Sequence, residues 1–194
     1  MEEKKRRLFI AINLPYEPKG VVREWQKGVG DLPVRWTKPE NLHLTLLFIG
    51  WVSSGDVQKI EHCVRILAES RRAPKLRFSH IDYGPPEGPP RMFWLRGDFS
   101  EELQALRDDL GQALLRTDIS FEQDSRKLTP HITTGRMRAD EWRKKIGKKK
   151  PEVGISLSFS FVPRTLDLME SHLQKGGAEY EIVSSSPFGL AKQL

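Results

Sequence analysis

A single cysteine, Cys63, stands in 194 residues, which excludes an internal disulfide framework and a cysteine-rich zinc site. Its neighbours Ile60, Val64 and Leu67 fall at helical spacing, so Cys63 reads as part of an apolar helix face rather than as a reactive thiol. Long hydrophobic runs are missing too. No window approaches the roughly 18 to 20 consecutive apolar residues that a membrane-spanning helix needs. The opening Met1-Glu2-Glu3-Lys4-Lys5-Arg6-Arg7 leads straight into a strand-like run rather than into a signal-peptide core, so a cytoplasmic, monomeric protein with no membrane partner is expected.

What the chain does have is a globular composition, with 38% hydrophobic and 30% charged residues, which rules out a disordered chain or a collagen-like fibre. Thirty-two Lys and Arg against 26 Asp and Glu leave a formal charge of +6, which makes a polyanionic partner plausible. The cations cluster at Lys4 to Arg7, at Arg71-Arg72, and at Arg143 to Lys145 with Lys148 to Lys150. Taken alone, each cluster reads as a solvated face; only Arg143 to Lys150 is as readily a track for a polymer backbone.

Apolar periodicity orders the chain. Leu8 to Leu14 is a short apolar run closed by Pro15 and predicts a buried strand. A modest helix follows over about 18–29. From Asn41 to Gly50, alternation puts His43, Thr45 and Leu47 on one face and Leu42, Leu44, Leu46 and Phe48 on the other. Val57, Ile60, Val64, Leu67 and Ala68 predict a helix capped near Ser53-Ser54, and Lys75 to Tyr83 a strand. The turn-rich segment 84–90 then separates two halves, 1–83 and 91–194, of one bilobal domain spanning 1–194. Met92 to Arg96 predicts a strand, Ser100 caps a helix with a stripe of Leu103, Leu106, Leu110 and Leu114, and Leu128 to Thr133 is extended again. Three strands, about 155–162, 165–170 and 179–184, complete the chain, with Gly176-Gly177 in the last turn.

The second half thus repeats the first. Phe9 matches Phe93 at an offset of 93 − 9 = 84 and His43 matches His131 at 131 − 43 = 88, which argues for an internal duplication with one histidine from each lobe. His62, His80 and His172 take the structural default. His43 and His131 each precede a threonine by two residues, so each lobe aims an imidazole and a hydroxyl at the same side of its sheet. Facing lobes would bring the four groups into one cleft. Two imidazoles can serve as one acid and one base, and two hydroxyls can hold non-bridging oxygens, a set suited to displacement at phosphorus. Arg136 is placed to supply a cation, with Lys127 the weaker candidate. Zinc binding is the competing reading, ranked lower because no carboxylate or cysteine has ligand spacing to either histidine.

His43-Leu44-Thr45-Leu46-Leu47-Phe48-Ile49-Gly50 and Pro130-His131-Ile132-Thr133 resemble the two signature motifs of the 2H phosphoesterase superfamily. Arg6 to Pro15, Val34-Arg35-Trp36, Pro39 to Leu42, and Leu166 to Ser171 with Gly177 and Tyr180 resemble its LigT-like branch, the RNA 2′,3′-cyclic phosphodiesterases first named 2′-5′ RNA ligases. The resemblance implies an α/β (α+β) bilobal fold, each lobe with a mainly antiparallel sheet and packed helices, and no metal or other cofactor. It implies a hydrolase that opens 2′,3′-cyclic phosphate ends of tRNA-like or oligonucleotide RNA to 2′-phosphates. His43 would be the proton donor, His131 the proton acceptor, and Thr45 and Thr133 would hold phosphate oxygens. Reversal would give 2′-5′ ligation. A non-catalytic nucleotide- or RNA-end-binding module of the same fold is the alternative. One departure is Thr133-Thr134-Gly135-Arg136, where the family often has apolar residues after the second threonine and before the arginine. Gly135 is expected to loosen that strand end, with Arg138 a substitute clamp. Among Phe9, Phe48 and Trp36, Phe9 is the preferred base-stacking residue.

Overall fold

Apolar strands decide the architecture, and the helices cover one face of what they form. The computed structural model describes residues 5–87, 89–121, 126–174 and 177–189; Lys4, Gly88 and Gly176 lie outside them. In order come β1 (Lys5–Asn13), α1 (Tyr16–Gly28), β2 (Val34–Trp36), β3 (His43–Ser53), α2 (Val57–Glu69), β4 (Leu76–Gly84), β5 (Met92–Gly97), α3 (Glu101–Leu115), β6 (His131–Met137), α4 (Ala139–Lys145), β7 (Ile155–Phe161), β8 (Thr165–Gln174) and β9 (Gly177–Pro187). All the strand pairings are antiparallel, in the order β7-β4-β5-β6-β3-β1-β8-β9, with β2 pairing to β6.

The helix stripes read from sequence face the core: Val57, Ile60, Val64 and Ala68 of α2 and Leu103, Leu106, Leu110 and Leu114 of α3 are buried against Leu8, Ile10, Ile12, Leu44 and Ile132. Ser100 caps α3 by accepting the Leu103 amide at 3.2 Å. Strand β2, only three residues long, escapes any periodicity argument; its place is fixed by pairing to β6 and by Gln26, whose buried amide donates to the carbonyls of Thr37 and Thr134.

The sheet is one surface with two wings, meeting where β3 and β6 pair through Leu44 and Ile132. Each wing draws strands from both halves of the sequence. β4, from the first half, lies between β5 and β7, whereas β8 and β9, from the second, extend the wing of β1 and β3. The turn-rich segment at 84–90 therefore divides the chain but not the space, because strand partners are chosen by pairing rather than by order.

The duplication survives with a different register from the sequence match. On β3, Asn13, Ile12, Ala11 and Phe9 lie opposite His43, Leu44, Thr45 and Phe48; on β6, Arg96, Leu95, Trp94 and Met92 lie opposite His131, Ile132, Thr133 and Arg136. First-strand residues thus correspond at a constant step of 83 (96 − 13), and Phe9 matches Met92, not Phe93. Phe93 is a core residue, fully buried, as is its true counterpart Ile10.

Candidate active site

Antiparallel pairing of Leu44 with Ile132 sets the geometry of the site. Counting one residue to either side, His43 stands across from Thr133 and Thr45 across from His131, all four on the face opposite the buried Leu44 and Ile132. Each histidine therefore works beside the other motif's threonine. The four groups line one pocket of about 230 Å³, together with Arg7, Phe48, Met92, Arg136, Ser171 and Tyr180.

Both imidazoles are oriented alike. The Nδ1 of His43 lies 2.8 Å from the Asn41 carbonyl, and that of His131 lies 2.8 Å from the Thr129 carbonyl. A carbonyl only accepts, so Nδ1 carries the hydrogen in each ring and Nε2 is left for chemistry. Phe9 packs at 5.0 Å and Tyr180 edge-on at 4.8 Å against His43, while Trp94 stacks on His131 at 3.7 Å. Neither Trp94 nor Arg7 was found from the sequence. The pairing of Trp94 with Thr133 is a through-space fact with no local signal, and in the sequence Arg7 stands within a basic cluster and the Arg6 to Pro15 segment with nothing to single it out.

Burial pushes the His43 imidazole down to about 4, opposed by the Asn41 carbonyl and reinforced by Arg136 and His131. His131 is lowered by burial as well, with Arg96 and Arg136 adding to the effect and the Thr129 carbonyl opposing it. Lowered from the ordinary 6.5, both rings are neutral at pH 7.

Two aromatics of the pocket differ in how much they expose, and one of them is not where alternation puts it. Phe9 lines the pocket but is only 2% exposed, packed against His43 and Tyr180, so it backs the imidazole more than it presents a surface to a base. Phe48 is 43% exposed and lines the pocket, under the Arg7 guanidinium at 4.5 Å. The cause is the register shift between Ile10 and Ala11 of β1, which leaves Leu46 as an extra residue on β3, buries both Leu46 and Leu47 and turns Phe48 to the face of His43. Leu47, expected beside His43, lies in the core.

Arg136 lies on the pocket wall, its Nη1 2.9 Å from the Met92 sulfur. Arg138 instead turns to Glu141, and Lys127 sits over the Phe99 ring, so neither reaches the pocket. Gly135 does not loosen the strand, which continues to Met137. A side chain there would collide with Val34 and Trp36, so the glycine is what lets β2 close against β6.

Among the described residues no helix is long and apolar enough to cross a membrane. One cluster has metal-ligand character, Glu170, His172 and Glu181 on β8 and β9, and it contains neither pocket histidine.

Residues 12–94 match the model of the LigT-like phosphoesterases. An RNA 2′,3′-cyclic phosphodiesterase of Thermotoga maritima is 34% identical over 72% of this chain and 75% of its own length. A protein of the same name from Methanocaldococcus jannaschii is 26% identical over 91% and 98%. Among solved structures, a Thermus thermophilus protein superposes with a TM-score of 0.78 at 23% identity, covering 94% of this chain and 97% of that one. Escherichia coli LigT complexed with 3′-AMP gives 0.70 at 23% identity, covering 96% and 100%. Fold, paired motifs and relatives agree, and the chain belongs to the LigT-like family of 2H phosphoesterases.

Proposed function

We propose that this protein is an RNA 2′,3′-cyclic phosphodiesterase, as its relatives are named, and that it leaves a 2′-phosphate. The observation that carries the proposal is the pair of imidazoles on facing motifs of one pocket, each with Nδ1–H tied to a carbonyl and Nε2 available.

Water attacks phosphorus while His131 takes its proton; the bond from phosphorus to O3′ breaks, and His43 gives that oxygen a proton. The products are a 3′-hydroxyl and a 2′-phosphate, and the two rings exchange their protons with solvent afterwards. Thr45 and Thr133 donate to non-bridging oxygens, and Arg136 balances the charge that grows there. Both proton transfers belong to imidazoles, so the scheme assigns no step to a metal. Running it backwards with a 5′-hydroxyl in place of water would join RNA ends through a 2′-5′ linkage.

In the free protein neither ring holds the proton that His43 must donate. A bound phosphate supplies the missing driving force, because its negative charge offsets Arg136 and raises both imidazoles. The competing reading, a nucleotide-binding module without turnover, is favoured by the lowering of both imidazoles, which removes the proton donor at pH 7. Incubation with chelator and an RNA ending in a 2′,3′-cyclic phosphate separates the two. Turnover to a 2′-phosphate, lost by at least about 100-fold in His43→Ala and in His131→Ala, is expected. Binding without conversion would favour the module.

A further inference from the structure

We propose that the groove adjoining the catalytic pocket binds the internucleotide phosphate on the 5′ side of the reacting nucleotide, so that the enzyme prefers an oligonucleotide end to a free cyclic nucleotide. This inference rests on the phosphodiesterase reading and extends it to the shape of the substrate. The groove has a volume of about 660 Å³ and shares Arg7, Arg136 and Tyr180 with the catalytic pocket, so the two are continuous. At about 230 Å³ the catalytic pocket is smaller than the roughly 300 to 1,000 Å³ typical of ligand sites. It suits the cyclic phosphate and its ribose, and the rest of an RNA must leave through an opening.

The charge in that opening is one-sided. Among the described residues, Arg7, Arg35, Lys38 and Arg136 line the groove against one carboxylate, Glu179, which lies 3.9 Å from Lys38. Arg35 and Arg136 are also direct partners across the β2–β6 pairing. Both line the groove, so an anion held there meets a guanidinium from each strand. The Arg35 guanidinium rests against the backbone of Gly177, where positive φ (+128°) and close approach both exclude a side chain. The glycine thus lets a cation from one wing reach the β9 end of the other, across the groove. A phosphodiester oxygen there would be within reach of fixed donors, while the cyclic phosphate of the next nucleotide sits between the histidines. By contrast, Lys148 to Lys150 lie past α4 and line neither cavity. The groove, rather than that basic segment, is the path for the polymer.

The test compares hydrolysis of a nucleoside 2′,3′-cyclic phosphate with that of a trinucleotide bearing the same end, using the full chain. Wild-type protein should show a KM about tenfold lower for the trinucleotide, in line with one charged hydrogen bond. Arg35→Gln and Lys38→Gln should each erase most of that advantage and leave the nucleoside cyclic phosphate within twofold. The trinucleotide KM should also become less sensitive to salt. Lys38 is exposed and on no strand, so its variant folds even if Arg35→Gln does not. An advantage unchanged by both variants but erased by Lys148→Gln/Lys149→Gln/Lys150→Gln would overturn the proposal. Should wild-type protein hydrolyse neither substrate, the phosphodiesterase reading fails separately. Anisotropy of a labelled trinucleotide 3′-phosphate then decides the groove, with about tenfold weaker binding by Lys38→Gln expected and equal binding overturning it.

Discussion

Each pocket histidine is held at one nitrogen, packed on an aromatic ring and kept neutral by burial. The productive free enzyme carries a single proton on the pair, and both imidazoles are lowered. Its population therefore grows as pH falls from 8 into the mildly acidic range. We expect kcat/KM, which reports the free enzyme, to rise on acidification below pH 7 and kcat, which reports the complex, to peak at higher pH. A kcat/KM profile that climbs above pH 7 would contradict this. The aromatics separate by the same logic. Phe48→Ala should raise KM by the roughly 1–3 kcal/mol of a lost base stack and spare kcat, whereas Phe9→Ala should lower kcat by freeing the His43 ring; steady-state kinetics on one substrate distinguishes them. The histidines and threonines were legible because a two-residue spacing on a strand is local. Phe48 was misplaced because a register shift belongs to a pair of strands and leaves no mark on either alone.

At the scale of elements, the three longer helices were readable, whereas the short strand β2 and the seven-residue helix α4 were not. Amphipathic stripes announce α2 and α3, and Ser100 announces the start of α3. β2 has three residues, too few for any period, and Gly135, which its presence explains, looked like a weakness in β6. The glycine is a seat. Gly135→Val should push Val34 and Trp36 off β6, cost about 1–3 kcal/mol of stability and shift Arg136 from the pocket wall. Urea titration reads the first and substrate KM the second; an unchanged midpoint would mean that β2 is not held there.

For the whole molecule, burial of two neutral histidines couples stability to pH. Unfolding returns them to about 6.5, so the unfolded chain binds more protons between that value and the His43 value of about 4. Stability is present above this window and is lost as pH falls through it. Between pH 7 and 4.5, wild-type protein should lose more of its urea midpoint than His43→Gln does; equal losses would argue against a buried neutral imidazole. The duplication that frames the site was visible in the spacing of the two motifs, but the wings were not, because β4 and the β8–β9 pair cross to partners that sequence order does not foretell.

That crossing has a consequence for synthesis. β1 gains one neighbour as soon as β3 exists, but its other edge pairs with Leu168, Met169 and Glu170 of β8, near the end of the chain. While the ribosome adds the intervening residues, Leu8 to Ile12 stand as an open apolar edge, the kind of surface that recruits another nascent chain or a holding chaperone. A chain stopped before β8 would carry both histidine motifs and still be unable to leave that state.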